Sequence, residues 1–491
     1  MDTKTPFEPA DSVSVGVQTF AQLFSGQGLP LAIDTYQRGF VWNDEKIKQL
    51  ALDLAEYQDT QDPKPDYYMG TVLLHRNDAK QLRFIIDGQQ RLTALCLLHS
   101  AVRGNLPGNC AMTYSPASAR RIRSAAEVYR QEAPGICDEI FNRIVFTVVM
   151  VDDVDLAFTF FDTQNNRGVP LHATDLLKAH HLRVVAGAQG AQRERLQEVC
   201  ARRWEGLQQG STVISHEQEF TASLFGKFLW RARSWTGKQV ASASHDALLH
   251  EFERDTWPVE EDHATVPLYS SRNNRMGAAL TLNAEGACEI QLRPLVLGSR
   301  PTDLPFAIRQ PIHKGIGFFL YTDKYAALLR RLLHDEAVAP EILRARELYQ
   351  TLVMTNSLFL REIHVLALLM FADQFGDSRL WEFSLWLEHA LGALRLNQDQ
   401  VRRETAQKFF RDADLNLLDV IAGAYRPEQV IRHLRQNTKT DEAYAQEQVQ
   451  RSGSGVQARY KQAVLRYFHK EADSLQHKRQ WIEAALREHR A

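Results

Sequence analysis

Apolar and polar positions follow mixed patterns over the first 180 residues and a mainly helical one afterwards. "NDEKIKQLALDLAEY" (43–57) sets Ile47, Leu50, Ala51 and Leu54 at i, i+3, i+4 and i+7 behind Asn43 or Asp44 as cap, which predicts a helix. "YYMGTVLLH" and "QLRFIID" flank Asn77-Asp78-Ala79-Lys80 and predict a β-hairpin. "RLTALCLLHSAV" reads as helix, "LPLAIDTYQR" as extended chain, and "RIVFTVVMV" as a strand rich in β-branched residues. From about residue 190 the patterns are mostly helical, broken at 264–312. There "MGAALTLN", the turn AEG and "CEIQLRPLVLG" predict a second hairpin. Amphipathic segments fill 321–435, a polar stretch ending in Ser-Gly-Ser-Gly at 436–455 reads as a linker, and a last helix is expected over about 456–489. The expected organisation is an α+β domain at 1–185, a mostly helical domain at 186–435 carrying the 264–312 β insertion, and a C-terminal helix within 456–491.

A chain of 491 residues is too long for one core. Hydrophobic content of 44% and charged content of 24% fit a globular protein. The first residues lack a basic stretch followed by an apolar one, and no apolar run reaches about 18 residues, so neither a secretory signal nor a membrane span is expected. Five scattered cysteines without CxxC spacing read as reduced thiols. Together these place the chain in the cytoplasm as an expectation. Net charge is −2, so nucleic-acid binding would need a local patch. Residues 401–491 hold 17 Lys/Arg against 12 Asp/Glu, and the last helix suits DNA phosphates, a partner helix or plain solvation.

The chemistry concentrates in three segments. In "FIIDGQQRLTAL" (84–95) a strand ends at Asp87, Gly88 permits a sharp turn, and a helix starts near Gln89 with its amides and positive dipole end free. Arg91 adds a cation, and the whole makes a phosphate-type anion site. Asp87 fits such a site if Mg²⁺ accompanies the phosphates or a water is polarised. Equally, Asp87 can cap the helix and pair with Arg91. In "IDTYQRGFVWNDEKI" (33–47), Tyr36, Gln37, Arg38, Phe40 and Trp42 suit a base or nucleotide; alternatively Phe40 and Trp42 pack in the core, the reading preferred for Trp42, and Arg38 pairs with Asp34. In "FTFFDTQNNRGVPLHATDLLKAHHL" (158–182), a helix ends at Asn165-Asn166, Pro170 blocks its continuation, and Thr174 or Asp175 starts another. Arg167 and Lys178 can join Arg91 and Arg38 around one anion, or the segment is a plain helix–turn–helix connection. His180 and His181 lack metal-pair spacing, and His364 in "REIHVLALLMF" reads as a satisfied core histidine. GxxxxGK[ST], GxSxG, HExxH and DxDxDG are absent.

"YQRGFVW", "DGQQRLTAL" and "NNRGVPLHATDLLK", in this order, resemble the N-terminal domain family of GmrSD-type restriction proteins, over roughly residues 15–240 including "RRWEGL" and "FTASLFGKFLW". The resemblance implies a ParB/sulfiredoxin-like fold and a bacterial anti-phage defence protein that senses foreign or modified DNA and hydrolyses an NTP, with Mg²⁺ as the expected cofactor. By position it implies catalytic Asp87, Gln90 and Arg91, with Asp87 also the metal ligand. It implies nucleotide binding by Gly88, Gln89, Asn166, Arg167 and Lys178, with Asp175 beside them, and DNA or modification sensing by Tyr36, Gln37 and Arg38. Many relatives carry a His-Asn-His nuclease domain that is not found in this sequence, so a separate nuclease subunit is an expected partner. The competing expectations are a DNA nickase or nuclease acting through the ParB-like domain, and a non-catalytic DNA-binding or partner module.

Overall fold

In the computed structural model the chain divides into two units, Met1–Ala179 with Gln197–Gly206, and His180–Leu196 with Leu207–Ala491. The structure describes residues 13–26, 28–34, 37, 39–60, 65–114, 118–132, 135–153, 156, 172–185, 191–208, 220–254, 256, 265–269, 277–282, 287–293, 300–398, 401–447, 449, 453–471 and 474–490.

The first unit is built on a five-stranded sheet of β1 (Val13–Thr19), β2 (Leu31–Ala32), β3 (Tyr67–Asn77), β4 (Leu82–Asp87) and β5 (Ile144–Val151), in the order β1-β5-β3-β4-β2. The expected hairpin is β3–β4, antiparallel, while β3 runs parallel to β5. Alternation fixes the faces: Val72 and Leu74 of β3, and Ile144, Phe146 and Val148 of β5, enter the core. After the short helix α1 (Phe20–Leu23), helix α2 (Asp44–Asp59) buries Ile47, Leu50, Ala51 and Leu54, the four positions its spacing selected, and Asn43 caps it by accepting from the Lys46 amide. Helix α3 (Gln89–Arg103) starts directly after the Gly88 turn and sends Leu92, Leu95 and Leu98 into the same core. Helix α4 (Ala119–Glu132) adds Ala125 and Tyr129. Trp42 packs at the margin of this core, as preferred from sequence, and Phe40, left open between a ligand and the core, is buried in it.

The second unit is mostly helical. Its hairpin pairs β6 (Gly277–Leu282) with β7 (Cys288–Arg293) antiparallel, inside the span expected for the insertion. Helices Leu358–Phe375 and Leu380–Leu396 are buried on nearly every side, which explains their all-round apolar composition. His364 lies wholly buried in the first of them; its Nε2 meets Ser384 Oγ at 3.1 Å, whereas Nδ1 has no partner, so only half of the expected satisfaction is met.

The 436–455 linker is a correction. Residues Thr438–Ala445 form a helix that buries Thr440, Ala443 and Tyr444, and the Glu447 carboxylate is fully buried against Lys461 at 3.0 Å. The single last helix is also two, Val456–Tyr467 and Lys478–Arg490. Polar composition signals solvation only when charges lack partners, and here they have them. Lys478 Nζ, completely buried, donates to Glu388 Oε2 at 2.6 Å and to the hydroxyls of Tyr444 and Tyr460 at 2.8 Å each. Gly392 makes room for this cluster, since a Cβ there would lie 1.7 Å from the Tyr460 hydroxyl.

Among the described residues no helix is long and apolar enough to cross a membrane.

Candidate functional site

The site grows from the end of β4. Gly88 takes φ 92° and ψ 2°, a left-handed conformation, and a Cβ on it would approach Val72 Cγ2 to 2.9 Å. Glycine is therefore required twice over, by backbone and by space. No side chain caps α3, which leaves its first turn at the junction with Asp87.

Arg91 turns toward the sheet. Its Nη1 donates to Met69 O at 2.9 Å and its Nη2 to Thr71 O at 2.7 Å, straddling the irregularity where β3 slips register against β5. Gly70, at φ 100°, opens that seat: a Cβ there would stand 2.2 Å from Arg91 Nη1. Asp87 Oδ2 lies 3.5 Å from Arg91 Nη2, in the pairing read as one alternative from sequence. The Asp87 side chain keeps 46% of its surface exposed, more than the 26% of Arg91.

The two glutamines are also engaged. Gln90 accepts from Val41 N at 2.8 Å and donates to Gly39 O at 3.0 Å, clamping the loop that follows β2. Gln89, buried, donates to the Tyr114 hydroxyl at 3.4 Å. Burial pushes that hydroxyl up to about 12, so it stays protonated. From the loop, buried Gln37 donates through Nε2 to Ile86 O at 3.0 Å, beside the motif aspartate. Ser118 Oγ accepts from Phe40 N at 3.0 Å, and Arg121 donates to Val41 O at 3.1 Å. Lys178, 2% exposed, donates to Gln37 O at 3.0 Å and lies 3.6 Å from Glu205. Desolvation lowers its pKa against the opposing pull of Glu205 and Asp175.

The structure thus brings Asp87, Gly88, Gln90, Arg91, Gln37 and Lys178 into one connected polar assembly. Tyr36, Arg38, Asn166 and Arg167 lie outside the described residues. Sequence reasoning did not single out Gly70, Ser118, Arg121 or Glu205, which complete the assembly. Gly70 within an otherwise strand-like run was the one available signal. Among the described residues no group of three or more His, Cys, Asp or Glu is arranged to hold a metal ion.

Residues 20–182 match the GmrSD restriction endonuclease, N-terminal domain, and residues 196–451 match a family of unknown function, DUF7834. The second match spans just over half of the chain, which belongs to that family of unknown function; the GmrSD match is confined to the N-terminal third. The GmrSD domain contains all three motifs, but its match stops at residue 182, short of the 240 expected. "RRWEGL" and "FTASLFGKFLW" fall within the DUF7834 match instead. No curated protein matches the chain.

Proposed function

We propose that the chain is a restriction-type anti-phage defence protein whose GmrSD domain senses foreign or modified DNA and hydrolyses an NTP. The GmrSD match over residues 20–182 is the observation that carries the reading. The pinned assembly of turn and loop adds to it, because binding sites gain from groups that are oriented before the ligand arrives. In this reading, the ParB/sulfiredoxin-like character of the domain lies in its glycine-led turn. Gly88 and the first turn of α3 receive phosphate. Asp87 acts on the water or on a metal. With no acidic cluster among the described residues, Mg²⁺ would reach Asp87 only with phosphate oxygens and water completing its shell, a usual mode for that ion. Gln90, Arg91 and Lys178 are positioning residues, since their polar atoms hold the loop and the bulged strand. Gln37 anchors the loop, and its neighbours Tyr36 and Arg38 are the proposed contacts to DNA. Asn166 and Arg167 close the nucleotide side, and a separate His-Asn-His nuclease subunit would supply cleavage.

The test is a binding and hydrolysis panel of GTP, ATP and CTP with Mg²⁺, with and without modified DNA, on the wild type and Asp87→Ala. We expect Asp87→Ala to lose hydrolysis while keeping or improving nucleotide affinity, because a bare carboxylate beside phosphates repels them. Normal hydrolysis by Asp87→Ala would leave the residue a structural role only. Nicking of supercoiled plasmid by the chain alone, lost in Asp87→Ala, would move the reading to a nuclease.

A further inference from the structure

An arginine-lined cleft of about 420 Å³ opens in the second unit, lined by residues of the DUF7834 match and by Arg479 beyond it. Arg379, Arg432, Arg435 and Arg479 line it, together with Glu428 and Gln436. They come from two helices and the N-cap of a third. Arg379 is the residue before helix Leu380–Leu396, Arg432 and Arg435 lie three apart on helix Pro427–Arg435, and Arg479 is in the first turn of Lys478–Arg490.

Three of the four guanidiniums are held in fixed orientations. Arg379 has the left-handed φ of 56°, uncommon for a side-chain-bearing residue, and is braced by Glu382 and Glu428 at 2.7 Å each. Arg435 lies 3.2 Å from Glu483 with its guanidinium 5.2 Å from the centroid of the Trp386 ring. Arg479 pairs with Asp441 and lies 3.6 Å from Glu483, at 5.8 Å from the same ring. Arg432 is exposed and makes no side-chain hydrogen bond or ion pair among the described residues. Carboxylates balance the three braced arginines, so the cleft is not a general anion trap. Their effect is geometric. Each guanidinium carries five donors, and Arg435 and Arg479 spend only some of theirs on the carboxylates. The remaining donors and the free Arg432 fork suit the tetrahedral oxygens of a phosphate, which arginine binds in pairs of hydrogen bonds.

We propose that this cleft binds a backbone phosphate of DNA, giving the chain a second DNA contact outside the GmrSD domain. The inference rests on the DNA reading above. The experiment is fluorescence anisotropy of the full-length protein with a labelled duplex across a salt series, for wild type, Arg432→Glu and Arg432→Lys. Arg432 is exposed and has no partner among the described residues, so both variants should keep the wild-type melting midpoint. Arg432→Glu should weaken binding roughly tenfold and lower the salt slope by about one. Arg432→Lys should keep the salt slope and lose part of the affinity, because charge survives and the fork does not. Unchanged affinity and slope in Arg432→Glu, with the wild type binding DNA, would overturn this proposal and leave the GmrSD reading standing. A wild type that binds no DNA, plain or modified, overturns both. If Arg432→Glu loses a labelled nucleoside triphosphate while keeping DNA, the cleft serves a free nucleotide and the proposal falls.

Discussion

At Gly88 a positive φ and the 2.9 Å approach to Val72 act on one atom that the residue does not have. Gly88→Ala should therefore destabilise the first unit by about 1–3 kcal/mol, read as a lower urea midpoint with an unchanged slope. That glycine was legible in sequence, because a glycine between strand and helix has few other uses. The fate of Gln37, Gln90 and Arg91 was not. Amides and guanidiniums suit a ligand and a backbone carbonyl equally well, and only the position of Ile86, Gly39, Val41, Met69 and Thr71 decides between them. His364 carries a second prediction at this scale. Burial holds its imidazole down to about 4, against 6.5 ordinarily. The unfolded chain then binds the extra proton between these values, so stability from this group is present above 6.5 and drains away as pH falls toward 4. The loss by pH 4 is about 3 kcal/mol. His364→Leu should flatten the pH dependence of chemical denaturation in that window, and an unaltered slope would show that the histidine protonates freely in the fold.

The elements were legible where one face is apolar and the other wet. Helix α2 and the β3–β4 hairpin follow the periodicity of their sequences, since 3.6- and 2-residue repeats leave little choice of face. Helices that bury charge defeat the same reasoning. Thr438–Ala445 and Lys478–Arg490 look solvated in sequence, yet Tyr444 and Lys478 enter one sealed cluster with Glu388 and Tyr460. Removing one member strands the others. Lys478→Met should lower stability by about 3–5 kcal/mol, because the Glu388 carboxylate then lies buried without its cation. Adding Glu388→Gln should recover part of that loss. Thermal melts of both variants and the wild type measure the difference, and a neutral Lys478→Met would mean that the cluster is hydrated in solution.

At the scale of the molecule, matches to two families follow each other along one chain, and each unit has a hydrophobic core of its own. The first family was legible because its motifs are short, polar and closely spaced. The second was not, because its identity lies in apolar helices whose side chains many folds would accept. The buried lysines have a consequence for covalent chemistry. An amine-reactive ester acylates lysines that water reaches, but Lys178, Lys324, Lys461 and Lys478 are between 1% and 4% exposed or wholly hidden. Each also has its nitrogen engaged, by Gln37 O, Asp373, Glu447 or Glu388. In the native protein these four should remain unlabelled while surface amines react within the same exposure. Lys178 belongs to the first unit and the other three to the second, so peptide mass spectrometry during stepwise heating should report the opening of each unit separately.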